Sequence, residues 1–187
     1  LYAAGDTSLV ARGHLTGAFV YGEIAAENAS AYVEKTGRVE VDFTEVDAFI
    51  ENRDKRVDPG RGKIPIEEFE YKVRRMINDY IVPPKNEYKL DRALWWMKAF
   101  SRDLFEVVRV ADVHDLFKTY EVENIIQCAL MSALASKERK ESRWGLWHYR
   151  SDYPQSSDSW KKHIVLKKGE SAADVLINHS PIVTLGG

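Results

Sequence analysis

Between residues 65 and 138 apolar side chains recur every three or four positions, and the stretches carrying them are divided by short, chemically explicit breaks. Pro65 opens the first stretch, where a missing N–H costs a helix nothing, and Glu67, Glu68 and Glu70 follow where the positive end of a helix dipole favours carboxylates. Ile66, Phe69, Val73, Met76, Ile77 and Tyr80 then step along one face until Pro83-Pro84, which has no N–H to continue the ladder. Asn86 predicts the cap of a second helix carrying Leu90, Leu94, Met97 and Leu104. A third begins near Asp112 and runs through Leu116, Tyr120, Ile125, Ile126, Leu130 and Leu134 to about Glu138. Upstream, Thr44 is the expected cap of a helix to about Lys55, with Val46, Phe49 and Ile50 on one face, and Asp58-Pro59-Gly60-Arg61-Gly62 ends it. A 3.6-residue period cannot serve a half-buried strand, so the pattern selects a mainly helical fold. Long helices with short connections predict an antiparallel bundle.

Composition narrows what such a bundle can do. The chain has 187 residues, with 27 Lys+Arg against 29 Asp+Glu and a net charge of -2. That balance lacks the basic excess of a nucleic-acid binder. No apolar run approaches the ~18–20 residues of a membrane span, and no secretory signal opens the sequence. One cysteine, Cys128, leaves no internal disulfide or thiolate metal cage; it lies between Ile126 and Leu130 and is expected in the core. A reducing, cytoplasmic setting follows. His14, His114, His148, His163 and His179 have no metal-ligand spacing, and no serine sits in a nucleophile elbow, so no metal is expected. Trp95 and Trp96 read as core or interface. The sequence begins at Leu1 rather than Met and ends Gly186-Gly187, which we read as part of a longer protein.

The two ends differ from this middle. Leu1 to Ala4 is a short apolar run, Gly5-Asp6-Thr7-Ser8 is turn chemistry, and Ala11-Arg12-Gly13-His14-Leu15-Thr16-Gly17 precedes a small-residue helix from about Ala18 to Tyr32. Phe19, Ile24, Ala25, Ala29 and Tyr32 are available for its packing. Strand, glycine loop and small-residue helix form a nucleotide-fold layout, because small residues let the backbone approach a ligand, although the spacing is not GxGxxG. After Glu141, the segment from Arg143 to Pro154 mixes aromatics with cations and has no helical period. His163–Leu166 and Val175–Ile177 then read as two short strands around a turn at 167–170.

These two end segments, in this order, resemble the flavoprotein subunit of the succinate dehydrogenase, fumarate reductase and adenylylsulfate reductase superfamily. Leu1-Tyr2-Ala3-Ala4-Gly5-Asp6 is similar to the family's last FAD-binding strand, and Tyr21-Gly22-Glu23-Ile24-Ala25-Ala26 to the helix after it. Glu141-Ser142-Arg143-Trp144, His148, Arg150 and Asp152-Tyr153-Pro154 resemble the family's C-terminal signature, with Asp158, Trp160 and His163 trailing. The loop that carries the dicarboxylate-binding arginine of succinate and fumarate enzymes is replaced here by 9–17. Gly13-His14, Asp6 and Val82-Pro83-Pro84-Lys85-Asn86 look more like the adenylylsulfate reductase alpha subunit. Pro154-Gln155-Ser156-Ser157-Asp158 departs from the family's usual Pro-Glu-Arg-Asp-Asp, and Arg12-Gly13-His14 does not align residue for residue with the reductase loop.

The resemblance implies three parts: the end of an α/β FAD-binding domain over 1–36, a helical domain over 37–141 and a small capping segment over 142–187. It implies FAD as cofactor in the full-length protein, with Asp6, Gly5, Leu15 and Thr16 near it. Asp6 would accept from ribityl or ribose hydroxyls, and the Thr16–Ala26 helix start would face the flavin edge. His14 and Arg12 are the implied catalytic residues, and which of them faces substrate stays open. Arg143, Trp144, His148, Arg150 and Asp152 are expected to pin the loop between domains, with the tryptophans packed beside them. The implied reaction takes adenylylsulfate to sulfite and AMP through flavin N5. With a single cysteine in the chain, the iron–sulfur clusters would reside on a separate ferredoxin-like beta subunit. The fragment lacks the GxGxxG part and is expected to be inactive and to bind no FAD by itself. The alternatives are a fumarate reductase or succinate dehydrogenase type of flavoprotein, and a non-enzymatic helical interaction module.

Overall fold

In the computed structural model residues 4, 14–169 and 174–182 are described. Gly5, Asp6 and Arg12, and the apolar run at 1–3, lie outside them. The chain divides into two units, residues 1–50 and 51–187.

The first unit holds α1 (His14–Thr36) and most of α2 (Thr44–Asp54), which continues across the boundary. Helix α1 begins four residues before the expected Ala18, so Leu15 and Thr16 fall in its first turn. It ends at Gly37, whose φ of 70° lets its N–H reach back to the Val33 carbonyl at 2.8 Å. Thr44 is the first residue of α2 rather than its cap. Asp42 does that work, its Oδ1 accepting from the Thr44 hydroxyl at 2.6 Å and the Thr44 N–H at 2.9 Å.

In the second unit, α3 (Ile66–Tyr80), α4 (Glu87–Glu106) and α5 (Val113–Glu138) pack on one another. Asn86 Oδ1 caps α4 by accepting from Lys89 N–H at 2.9 Å, and Asp112 caps α5 by accepting from Asp115 N–H at 2.9 Å. Ion pairs give the directions. Lys118, early in α5, reaches Glu70 early in α3 at 3.2 Å, so these two run parallel. Lys137, at the end of α5, pairs with Glu87 and Asp91 at the start of α4, so those two are antiparallel.

The core they share contains Ile66, Phe69, Val73, Leu90, Met97 and Leu104, as the spacing predicts, and also Ala93 and Phe100. Phe100 meets Phe69 edge-on at 5.4 Å and stacks on Trp96 at 5.5 Å, while Trp95 turns outward. On α5 the buried stripe is Leu116, Thr119, Val122, Ile126, Ala129, Ala133 and Ser136. Small residues there let α5 lie close to α4, and the larger Ile125, Leu130 and Leu134 flank the seam half-buried. Cys128, expected in the core, is exposed. At about 100° per residue it lies roughly 200° round the helix from Ile126.

Strands β1 (Lys162–Lys168) and β2 (Val175–Pro181) form a two-stranded antiparallel ribbon in register from Lys162↔Pro181 to Lys168↔Val175. Arg139, one residue past α5, anchors it by donating to the carbonyls of Trp160 and Lys162, each at 2.8 Å.

Candidate functional site

Any helix leaves four carbonyls unpaired at its C-terminus and four N–H groups unpaired at its N-terminus, and here the end of α5 meets the start of α4. The segment 139–157 supplies their partners with charged side chains, two of which are fully buried.

Arg150 is the first. Its Nη1 donates to the Ser136 carbonyl at 2.7 Å and the Lys137 carbonyl at 3.2 Å, closing the C-terminal turn of α5. Its Nε and Nη2 grip Asp152 in a two-pronged pair at 2.8 and 2.6 Å, and Nη2 also reaches Glu87 at 3.3 Å. Asp152 Oδ2 in turn accepts from the Glu87 N–H at 2.8 Å, at the first turn of α4. One guanidinium–carboxylate pair therefore ties the end of α5 to the start of α4. Arg150 hydrogen bonds, foremost among the causes, hold the Asp152 carboxyl below its ordinary range.

Glu141 is the second. It accepts from Arg139 Nη1 at 2.8 Å, from Arg143 Nε at 2.8 Å and Nη2 at 2.9 Å, and from the Ser157 N–H at 2.9 Å. Burial by itself raises the Glu141 carboxyl; the bonds from Arg143, Ser157 and Arg139 outweigh it and hold the pKa at about 2. Ser142 Oγ closes the turn, accepting from Arg150 N–H and donating to the Tyr153 carbonyl, both at 2.8 Å.

Lys85 and His148 lie in the same knot and are less well matched. Lys85 Nζ donates to Ser136 Oγ at 2.8 Å, and its backbone pairs with Tyr149 and Ser151 at 2.9 and 2.8 Å. Burial, then the Arg150 charge, pull the ammonium below its usual range. His148 is likewise pushed down by burial and then by the Lys85 charge, against a hydrogen bond with the Arg139 backbone. Its Nε2 is buried without a partner among the described residues.

Of the residues expected to pin this loop, Arg143, His148, Arg150 and Asp152 converge in the knot. Trp144 does not pack beside them. Trp144 and Trp147 are 80% and 85% exposed, on a turn where Trp144 has φ 60°. A bulky residue in the left-handed region costs roughly 1–2 kcal/mol. Glu87 and Ser136 carried no sequence signal, while Glu141, Lys85 and Ser157 lay within the motifs quoted above without a role of their own. The signal available for Glu141 was an arginine two residues away on each side. Leu15 and Thr16 are both exposed in the first turn of α1. Among the described residues no cluster of His, Cys, Asp and Glu could hold a metal, and no helix is long and apolar enough to cross a membrane.

Every carboxylate and guanidinium of the knot is used on another group, so these charges orient chain segments. The arrangement defines a helical domain whose end is closed by a charged C-terminal loop. The family model described as fumarate reductase flavoprotein C-term matches residues 70–185, and this chain belongs to that family. An uncharacterized FAD-dependent oxidoreductase of Methanocaldococcus jannaschii is 27% identical over 150 residues, 79% of this chain and 26% of that protein. The succinate dehydrogenase flavoprotein subunit of Rickettsia conorii is 27% identical over 137 residues, 70% of this chain and 22% of that subunit. The chain thus spans about a quarter of the length of these relatives. Among solved structures, adenylylsulfate reductase of Archaeoglobus fulgidus has a TM-score of 0.78 at 23% identity, over 90% of this chain and 29% of that one. The E. coli quinol fumarate reductase flavoprotein has a TM-score of 0.73 at 19% identity, over 93% of this chain and 31% of that one. At these identities both report the fold.

Proposed function

We propose that this chain is the C-terminal part of an FAD-dependent oxidoreductase of the adenylylsulfate reductase type. The observation that carries the oxidoreductase reading is the family match over 70–185. The substrate rests on residues: the dicarboxylate loop is replaced by 9–17, and Val82-Pro83-Pro84-Lys85-Asn86 resembles the sulfur branch. In this reading residues 1–36 close the FAD-binding domain, 37–141 form the helical domain and 142–187 cap it.

The first turn of α1 fits a flavin. It carries no acidic residue, so the first turn itself leaves the positive end of a 23-residue helix open to a negative group. Between its charged positions Glu23, Glu27, Glu34 and Lys35 the helix exposes Leu15, Phe19, Val20, Tyr21, Ile24 and Tyr32 on several sides, which suits an element covered by further protein. Bound FAD would supply transfer of an electron pair. Around it, Gly5, Asp6, Leu15 and Thr16 would form the cofactor contact, and His14 or Arg12 would hold a sulfate oxygen and balance negative charge as it develops. The knot of Arg143, His148, Arg150 and Asp152 would set the loop between domains, presenting Trp144. Electrons would arrive from a separate iron–sulfur subunit in the cytoplasm.

Assay of the full-length flavoprotein with FAD, using reduced methyl viologen as donor, tests this. Sulfite and AMP from adenylylsulfate, with no succinate from fumarate, is the expected result. Turnover of fumarate alone would move the chain to the dicarboxylate branch that the Rickettsia relative represents. The 187-residue chain alone should bind no stoichiometric FAD.

A further inference from the structure

Away from the knot, at the opposite end of the helices, residues 58–64 lie along the link between α4 and α5. Asp58 N–H donates to the Val110 carbonyl at 2.9 Å, Lys63 N–H to Val107 at 2.8 Å, and Arg109 N–H to Ile64 at 2.9 Å. The approach is close: a Cβ on Gly62, which has φ 77°, would sit 2.3 Å from the Val108 carbonyl oxygen. Between this strap and the helices is a pocket of about 110 Å³. Its floor is apolar and already buried, made by Leu104, Val108, Val110 and Leu116.

The rim is cationic. Arg56 lies over the Phe105 ring at 4.1 Å, which fixes its guanidinium at the mouth, and Arg61 stands exposed beside it. Neither has a carboxylate partner among the described residues. Asp58, the acidic member of the lining, is engaged with the Gly60 N–H at 2.9 Å. Lys63 and Arg109, on the two paired strands of chain, add positive charge nearby. The volume is too small for a cofactor or substrate site, which typically needs ~300–1,000 Å³, but suits one aliphatic side chain. We propose that this pocket docks a single apolar side chain of a partner polypeptide, flanked in that partner by carboxylates that meet Arg56 and Arg61. An apolar anchor inside a polar, charge-complementary rim is the usual build of a binding hot spot.

The isotope-labelled 187-residue chain, titrated with the peptide acetyl-Asp-Asp-Leu-Asp-Asp-amide and followed by amide chemical shifts, tests the proposal. Saturable shifts confined to Phe105, Val108, Val110, Leu116 and Thr119 are expected. A peptide with lysines in place of the aspartates, and one with serine in place of the leucine, should each fail to saturate. Arg61→Glu, at an exposed position, should leave the spectrum folded and weaken the acidic peptide by about fivefold or more. Shifts elsewhere on the chain, equal binding of the lysine or serine peptides, an unchanged affinity in Arg61→Glu, or no saturable shift at all would each overturn it.

Discussion

The apolar seam of α3, α4 and α5 and the charged knot at one end of it are both buried, yet they resist change in opposite ways. The seam is held by non-directional burial of Val73, Leu90, Met97 and Leu104, worth roughly 1.5–3 kcal/mol per large side chain. Volume is what matters there, so Met97→Leu should cost less than about 1.5 kcal/mol. The knot is held by directional bonds in which every carboxylate and guanidinium is used. Removing one member leaves buried polar groups without the partner they were built around. Arg150→Met, similar in length and apolar, frees Asp152 and Glu87 to turn to water but leaves the buried α5 carbonyls without a donor, and should lower stability by about 3 kcal/mol. All five tryptophans lie beyond residue 90, so urea unfolding followed by their fluorescence reports the second unit. If Arg150→Met proved no worse than Met97→Leu, the contrast between the two regions would collapse.

A second way to sharpen the contrast is acid. The seam has nothing to titrate, whereas Glu141 has a carboxyl held at about 2 against an ordinary 4.5. A depressed carboxyl stabilises the fold above its unfolded pKa and loses that contribution as pH falls toward the folded value. The window is therefore pH 4.5 down to 2, and the amount is about 3 kcal/mol, at 1.36 kcal/mol per unit. Glu141→Gln should flatten this part of the stability–pH curve while already starting lower at neutral pH, because Arg139 and Arg143 lose their counter-charge. Parallel curves for the two proteins between pH 4.5 and 2 would remove Glu141 as the source.

The same contrast decides what could be read in the sequence. The seam was legible because a 3.6-residue period repeats over three helices and is punctuated by Pro65, Pro83-Pro84, Asn86 and Asp112. Its errors came from proximity. Ala129, Ala133 and Ser136 are buried because α5 lies close to α4, which apolar size alone does not reveal, and Cys128 is exposed despite the apolar neighbours that made a core position expected. The knot was legible only as a set of names. Arg143, His148, Arg150 and Asp152 stood out through a family resemblance, but Arg150 and Asp152 reach 63 and 65 residues back to Glu87, and Ser136 51 residues back to Lys85, which no local pattern encodes. Trp144 shows the limit most plainly, since composition puts tryptophan inside and the backbone turns it out.

Lys85 offers the finest division between the two regions, because it sits in the knot while contributing least to it. Its ammonium is buried with Ser136 Oγ as side-chain partner and no carboxylate within ion-pair distance among the described residues, beside the Arg150 guanidinium. Burial and that like charge both disfavour the protonated form. Replacing Lys85 by Met keeps the aliphatic stem and the backbone pairing with Tyr149 and Ser151, removes the repulsion and leaves one hydroxyl less satisfied. An unpaired hydroxyl costs ~1 kcal/mol or more and relief of a buried charge returns a similar amount, so the net should fall within about 1 kcal/mol of the parent, on either side. The same urea assay checks it. A loss near that of Arg150→Met would mean that the ammonium is an essential tie of the knot, and that positive charge there is compensated by a group outside the described residues.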